Sequence, residues 1–283
     1  MTGSRVWLIT GTSSGLGLEL AKVAANHGDR VIAASRSPKN VPAIDGITAV
    51  RLDHNEPLPQ IQAVVADIIK IYGTIDIVVN NAAYAQTGTV EETSPEQTQR
   101  QFQANVFGPI NVYRAILPHM RQKRSGTLVT IGSMASWYTM QSCNMYNASK
   151  AALRRLSLGL AEEVKHLGIR HCLVEAGYFR TELLNPNVNY TTSEASKRLP
   201  DYAELNAAAD AAFSAINGNQ LGDTVKGVQV IYDVVTSSGV AAGRDLPGFL
   251  SLGRDANAEI VKAAQEAIDA VKEWESITTE CDV

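Results

Sequence analysis

The chain has 283 residues, 45% apolar and 19% charged, with a formal net charge of −4, the proportions of a globular protein that buries its own core without metal or disulfide staples. The charge is spread with no long basic or acidic run, which argues against nucleic acid or anionic membranes as partners, and the short cluster Arg121, Lys123, Arg124 reads as a solvated helix end. Cys143, Cys172 and Cys281 have no metal-ligand or C-x-x-C spacing, the N-terminus opens on a strand pattern rather than a signal sequence, and no apolar run approaches ~18 residues; free thiols in the cytoplasm, no metal and no stable membrane insertion are the expectations.

In chain order, Arg5–Thr10 is a short apolar strand pattern ending at Gly11, followed by a helix whose Leu16, Leu20, Val23 and Ala24 share one face and which stops at His27-Gly28. Arg30–Ser35 and Ile47–Leu52 read as strands, Leu58–Tyr72 as a helix stopped by Gly73, and Ile75–Asn80 as a buried strand. A helical stretch from Pro95 to about Arg121 carries Gly108-Pro109, where a kink is expected. Thr127–Ser133 is the fifth strand. A helix follows from about Asn144 to Leu167, with Leu153, Leu156, Leu160 and Val164 on its core face and Gly168 as its stop, and Arg170–Glu175 is the sixth strand. Alternation of this kind predicts an α/β fold, a single doubly wound parallel sheet with helices on both faces.

Beyond Gly177 the alternation loosens. The Asn-, Thr-, Ser- and Pro-rich stretch 185–200 is long for a bare connection and reads as a lid, followed by helices at about 201–217 and 223–237, a short edge strand near Gly248–Leu252 and a terminal amphipathic helix at about 255–274. One domain over residues 1–283 is expected, with 5–182 as its core and 183–283 as a helical lid and C-terminal helices.

Two motifs carry chemistry. Thr10-Gly11-Thr12-Ser13-Ser14-Gly15-Leu16-Gly17 lies between the first strand and the first helix, where glycines permit a tight turn and the helix N-terminus offers free N–H groups and a positive dipole end to a pyrophosphate. Tyr146 and Lys150, at i and i+4, share a helical face. A phenol of reference pKa ~10 serves as acid or base near neutrality when a neighbouring cation stabilises the phenolate. Either motif alone is weak: glycine-rich turns and Tyr-x-x-x-Lys pairs also occur with no such function.

Together they resemble the short-chain dehydrogenase/reductase family, over residues 5 to about 182. The glycine motif has the family's T-G-x-x-x-G-x-G form, Asn80-Asn81-Ala82-Ala83 stands where the family has N-N-A-G, Asn105 falls in the next helix, and Ser133 precedes Tyr146 and Lys150 at the family's spacing. The wording around Asn105 and at 175–181 is most like the retinol and 17β-hydroxysteroid dehydrogenase relatives and many fungal reductases. The resemblance implies a Rossmann fold and hydride transfer between a nicotinamide and a carbonyl or alcohol carbon. It implies that Ser133 bonds the substrate oxygen, Tyr146 gives or takes the proton, Lys150 holds the nicotinamide ribose and lowers the tyrosine pKa, and Asn105 anchors a water on a relay to solvent. Gly11, Ser13, Ser14, Gly15, Leu16, Gly17, Asn81, Ala82, Gly177, Phe179 and Thr181 would complete the cofactor site, with Asp53 on the adenine amino group. A homodimer or homotetramer is usual. A protein of this fold that uses the nucleotide structurally is the alternative, and such a protein would be expected to lack the Ser, Tyr or Lys.

Two departures stand out: Ala83 replaces the glycine of N-N-A-G, and Ala176 replaces the proline before Gly177, so the nicotinamide edge is expected to be held less firmly. The second strand ends Ala34-Ser35-Arg36 with no acid, and the Arg36 guanidinium suits a phosphate, so NADP(H) is the expected cofactor with NAD(H) as the alternative. Met134, Trp137, Tyr138, Met140 and Met145, with Tyr84 and Tyr178, predict an adaptable apolar wall for a bulky ketone or secondary alcohol, and Arg180 leaves room for one anionic substituent.

Overall fold

The computed structural model describes residues 4–185 and 189–283. In chain order its elements are β1 (Val6–Thr10), α1 (Gly15–Asn26), β2 (Arg30–Ser35), β3 (Ile47–Arg51), α2 (Leu58–Tyr72), β4 (Ile77–Asn80), β5 (Ala85–Gln86), α3 (Pro95–Phe102), α4 (Gly108–Lys123), β6 (Gly126–Ile131), α5 (Asn144–Val164), β7 (Ile169–Ala176), β8 (Tyr190–Thr191), α6 (Ala203–Ile216), α7 (Thr224–Thr236), β9 (Phe249–Leu252) and α8 (Arg254–Thr278). Seven strands form one sheet in the order β3-β2-β1-β4-β6-β7-β9, every neighbouring pair parallel. The short pair β5 and β8 lies apart.

The two-residue period of a strand divides the core. Trp7 and Ile9 of β1 join Leu20 and Val23 of α1 and Val228 and Ile231 of α7 on one face, while Val6 and Leu8 join Ile61 and Val65 of α2 and Val112 and Ile116 of α4 on the other. Because both faces are covered, the strands read as continuous apolar runs. The order reverses between β1 and β4, and this switch point opens a crevice at the carboxyl ends of the strands, which is where such sheets bind ligands.

Three local expectations are corrected. The distortion in the third helical stretch lies before Gly108-Pro109, as a π-helical turn at Gln103–Phe107, and the helix runs on through Pro109. Pro109 has no N–H to give the carbonyl of Asn105 four residues earlier, and the wider turn absorbs that gap. Leu156 is 48% exposed, because the inward row on α5 runs through Tyr146, Lys150, Leu153, Ser157 and Val164. Lys123 is no free helix end either: its Nζ donates to Asp76 Oδ1 at 2.7 Å and to the Ile75 carbonyl at 3.1 Å, tying α4 to the segment that enters β4.

Candidate active site

The first two motifs are one lock. Thr10 Oγ1, at the end of β1, accepts from the backbone N–H groups of Asn81 (3.0 Å) and Ala82 (3.1 Å), and Asn81 Nδ2 donates back to the carbonyls of Thr10 and Gly11. Gly11 has φ +71, and a Cβ there would fall 2.8 Å from Ala82 Cα; at Gly17 one would fall 2.4 Å from Asn81 Nδ2. Gly17 therefore allows α1 to close on the sheet, and it does not line the crevice. Ser14 starts α1 without a side-chain cap and no acid stands in the first turn, so the helix end presents unsatisfied N–H groups.

A cavity of about 740 Å³ runs along this crevice, lined by Gly11, Ser13, Ser14, Gly15, Leu16, Arg36, Asn81, Ala82, Ser133, Tyr146, Lys150, Gly177, Phe179 and Thr181. Its size falls in the ~300–1,000 Å³ range of small-molecule sites. Asp53 is not on its wall: Oδ1 accepts from the Asn55 backbone (3.0 Å) and side chain (2.9 Å) in a local turn, and Leu52, His54 and Asn55 face the cavity instead.

Ser133 follows β6 and caps a short turn, Met134–Ser136, through the Ala135 N–H at 3.1 Å. The α5 helix brings Tyr146 and Lys150 opposite it. Burial pushes the Tyr146 phenol well above its ordinary value, against a smaller pull from the Ser133 hydroxyl. Lys150 lies 5.9 Å from the centre of the tyrosine ring and donates to the Ile131 carbonyl at 3.1 Å. Burial pushes its ammonium down to about 8, with Glu175 acting the other way. Asn105 does not line the cavity: Nδ2 donates to the Tyr84 carbonyl (3.0 Å) and Ser149 Oγ (3.1 Å), and Oδ1 accepts from the Tyr84 N–H (3.2 Å). Its amide fastens the chain after the Asn80–Ala83 motif to α5.

The segment after β7 is held without its proline. Ala176 pairs with Leu252 of β9, the Gly177 N–H donates to the Leu252 carbonyl at 2.9 Å, and Asp255 at the head of α8 accepts from the Tyr178 N–H at 2.7 Å. β9 and α8 thus restrain the backbone that lacks the proline ring.

A smaller apolar compartment of about 50 Å³ adjoins Ser133 and Tyr146, walled by Met134, Tyr138, Met140, Cys143, Tyr178, Leu184 and Phe213. Trp137 and Met145 are absent from both walls. The turn after Ser133 swings Trp137 outward, against Arg154 and Phe249. Leu183 and Leu184, from the turn just before the lid, and Phe213, from α6 within it, were not expected from the sequence. Arg180 is engaged with the Gln220 carbonyl (2.8 Å), and the larger cavity's wall carries Arg100 besides Arg36 and Lys150.

The expected lid, 185–217, includes β8 and α6; residues 186–188 lie outside those described. It is tethered, not free. Glu92, 2% exposed, accepts from the Leu199 N–H (2.8 Å) and from Asn206 Nδ2 (2.9 and 3.0 Å), and Asn206 Oδ1 accepts from Ser142 in the loop before Tyr146. Burial pushes the carboxyl up, but donors from Asn206, Leu199 and Thr89 outweigh it and hold Glu92 below its ordinary value. Glu92→Ala should raise KM for a large substrate about tenfold with kcat within a factor of two, since a lost charged hydrogen bond is worth ~1.5 kcal/mol. An unchanged KM in steady-state kinetics would remove the lid tether from the picture.

A family model described as short chain dehydrogenase matches residues 5–190. The chain is 30% identical over 281 residues to the oxidoreductase BOA17 of Botryotinia fuckeliana, spanning 97% of this chain and 98% of that protein. It is 33% identical over 200 residues to a 3-ketodihydrosphingosine reductase of Bacteroides thetaiotaomicron, spanning 71% and 72%. A short-chain dehydrogenase structure from Streptomyces avermitilis superposes with a TM-score of 0.85 at 32% identity, over 99% of this chain and all 100% of that one. At 22% identity the fold is shared with ElxO, solved with NADP bound (TM-score 0.71; 90% and 100% covered), and with a Brucella melitensis 3-ketoacyl-(acyl-carrier-protein) reductase complexed with NADH (0.69; 87% and 96%). This chain belongs to the short-chain dehydrogenase/reductase family, and it is an oxidoreductase acting on a CH–OH or C=O group. No helix among the described residues is long and apolar enough to cross a membrane, and no metal-binding cluster is found among them.

Proposed function

We propose that the protein is an NADP(H)-dependent oxidoreductase acting on the carbonyl or secondary alcohol of a bulky, mostly apolar substrate through Ser133, Tyr146 and Lys150. The observation that supports this most is the meeting of a serine hydroxyl, a buried phenol and a buried ammonium on one cavity that begins at an uncapped helix N-terminus. The donor set fits a dinucleotide: the free N–H groups of the first turn of α1 suit a pyrophosphate, and Gly11 and Gly17, where a Cβ would meet Ala82 and Asn81, keep the turn tight against the sheet. When bound, the nicotinamide supplies or accepts the hydride.

In the reducing direction Ser133 donates a hydrogen bond to the substrate oxygen and Tyr146 delivers the proton to it. A phenol whose pKa burial has raised is a reluctant acid, so it needs a cation close by when its proton leaves. Lys150, still largely protonated at pH 7 with a pKa of about 8, is that cation. It would also hold the ribose hydroxyls. The Asn105 carbonyl, deprived of its α-helical donor by Pro109, is the anchor for a water leading from Lys150 to solvent.

The cofactor preference follows from the end of β2. Arg36 lines the cavity with no salt bridge among the described residues, and no acid stands there to repel a 2′-phosphate. NADPH is expected to give the higher kcat/KM, and Arg36→Ala to raise KM for NADPH at least ~10-fold while leaving that for NADH alone. Equal efficiencies with the two cofactors would sink the preference.

For the substrate, the compartment of about 50 Å³ accommodates little more than the reacting carbonyl while Leu184 and Phe213 stay in place. A bulky apolar group therefore enters by displacing the lid or lies along the larger cavity, whose wall includes the polar Gln86, Gln97 and Arg100. The relative named for reducing a 3-keto long-chain base fits a ketone on an apolar body with a polar end. The free thiols of Cys143, Cys172 and Cys281 favour the cytoplasm, with a homodimer or homotetramer as the assembly.

A further inference from the structure

We propose that Glu175, which the reaction itself does not use, is a positioning residue: a buried carboxylate that fixes the turn carrying Ser133 and supplies the negative charge that the Lys150 ammonium otherwise lacks. This rests on the roles given above to Ser133 and Lys150.

Glu175 is the penultimate residue of β7, and its side chain is 0% exposed. Ser136 Oγ donates to Oε1 at 2.6 Å and Trp137 Nε1 donates to Oε2, so both oxygens hold the turn that begins at Ser133. On the far side Arg154, one helical turn after Lys150, places Nε 3.8 Å from Oε2 and stacks its guanidinium 3.6 Å over the Trp137 ring. One carboxylate thus joins β7, the turn after β6 and α5. A glutamine could accept only one of these two bonds, because its NH2 would face the other donor, so the turn needs the two acceptor oxygens of a carboxylate.

The charge has a nearby use. Lys150 is buried, and its hydrogen bond goes to a neutral carbonyl, Ile131 of β6. Glu175 reaches the same strand end: a Cβ on Gly132, the residue after Ile131, would lie 3.2 Å from its Oε1, and its charge favours the protonated lysine against burial. Around Glu175 itself burial raises the carboxyl above its ordinary value, while Ser136, Trp137, Arg154 and Lys150 pull it the other way, with Ser251 of β9 in register beside it. Removing the negative charge lets burial push Lys150 below about 8.

The test is Glu175→Gln, read first in the cofactor-free protein by 13C NMR titration of lysine Cε, with the Lys150 resonance assigned by its loss in Lys150→Met. Its midpoint should fall by about one pH unit, and the alkaline limb of kcat/KM should fall with it, making the loss about fivefold larger at pH 8 than at pH 6, where only the loosened turn contributes. Glu175→Asp keeps the charge but shortens the reach. It should leave the midpoint near the wild-type value while kcat drops about tenfold as the turn loosens.

A Glu175→Gln midpoint within about 0.2 units of wild type, against a reading error of about 0.1, would overturn the proposal. So would an Asp variant shifted as far as the Gln variant. If Glu175→Gln does not fold, an undiminished kcat in Glu175→Asp overturns it. The titration needs no turnover, so a wild-type rate profile without a limb near 8 would refute the catalytic reading of Lys150 and leave this coupling standing.

Discussion

Replacing Tyr146 by phenylalanine is expected to lower kcat at least ~100-fold while the Kd for NADPH stays within a factor of two. In the proposed mechanism the phenol exchanges the proton with the substrate oxygen, since the Ser133 hydroxyl is far less acidic. The ring also packs among Ala85, Ala135, Cys143, Leu184 and Phe213, contacts that phenylalanine keeps, so the melting temperature should hardly move. Stopped-flow turnover and fluorescence titration of NADPH separate the two effects. More than about a tenth of the wild-type rate in the variant would mean that another group handles the proton.

Lys150→Met is expected to damage both steps. In the proposed mechanism its ammonium stabilises the phenolate and holds the ribose hydroxyls, so kcat should fall ~100-fold and NADPH affinity ~10-fold, each a loss of about 1.4 kcal/mol per decade. The pH dependence carries the sign of the group. Lys150 is pushed down to about 8, so it is charged below that pH and neutral above it, and wild-type kcat/KM should decline as pH rises through 8. That limb should vanish in Lys150→Met. An alkaline limb that survives the substitution belongs to some other group.

The sheet was legible because its strands are short apolar runs separated by helices of clear 3.6-residue period. Even the edge strand β9 was placed, from Gly248–Leu252. The order of the strands was not legible, nor was the mutual bonding of Thr10 and Asn81, since both depend on contacts some 70 residues apart in sequence. What periodicity misjudged were places where a tertiary partner overrode it. Leu156 has helical spacing to the core, yet the inward row needs Lys150 and Ser157. Trp137 sits between Ser133 and Tyr146, yet Glu175 and Arg154 pull it off the cavity. Asp53 lies beside the adenine end, yet its own turn with Asn55 takes one of its oxygens. The π-helical turn did leave a signal: a proline four residues after Asn105 removes that carbonyl's donor. Glu175 left none, for a single acid in an apolar strand shows its use only once Arg154, Trp137 and Lys150 surround it.

The most direct measurement follows a labelled hydride. The protein is mixed with NADPH carrying deuterium at the transferred position of C4 and a panel of long-chain, polycyclic and short polar ketones, and the alcohol products are analysed by mass spectrometry. One deuterium on the carbinol carbon of an apolar product, lost in Tyr146→Phe, is expected. Nucleotide that binds along the β1–β4 crevice but yields no labelled alcohol from any ketone would contradict the account.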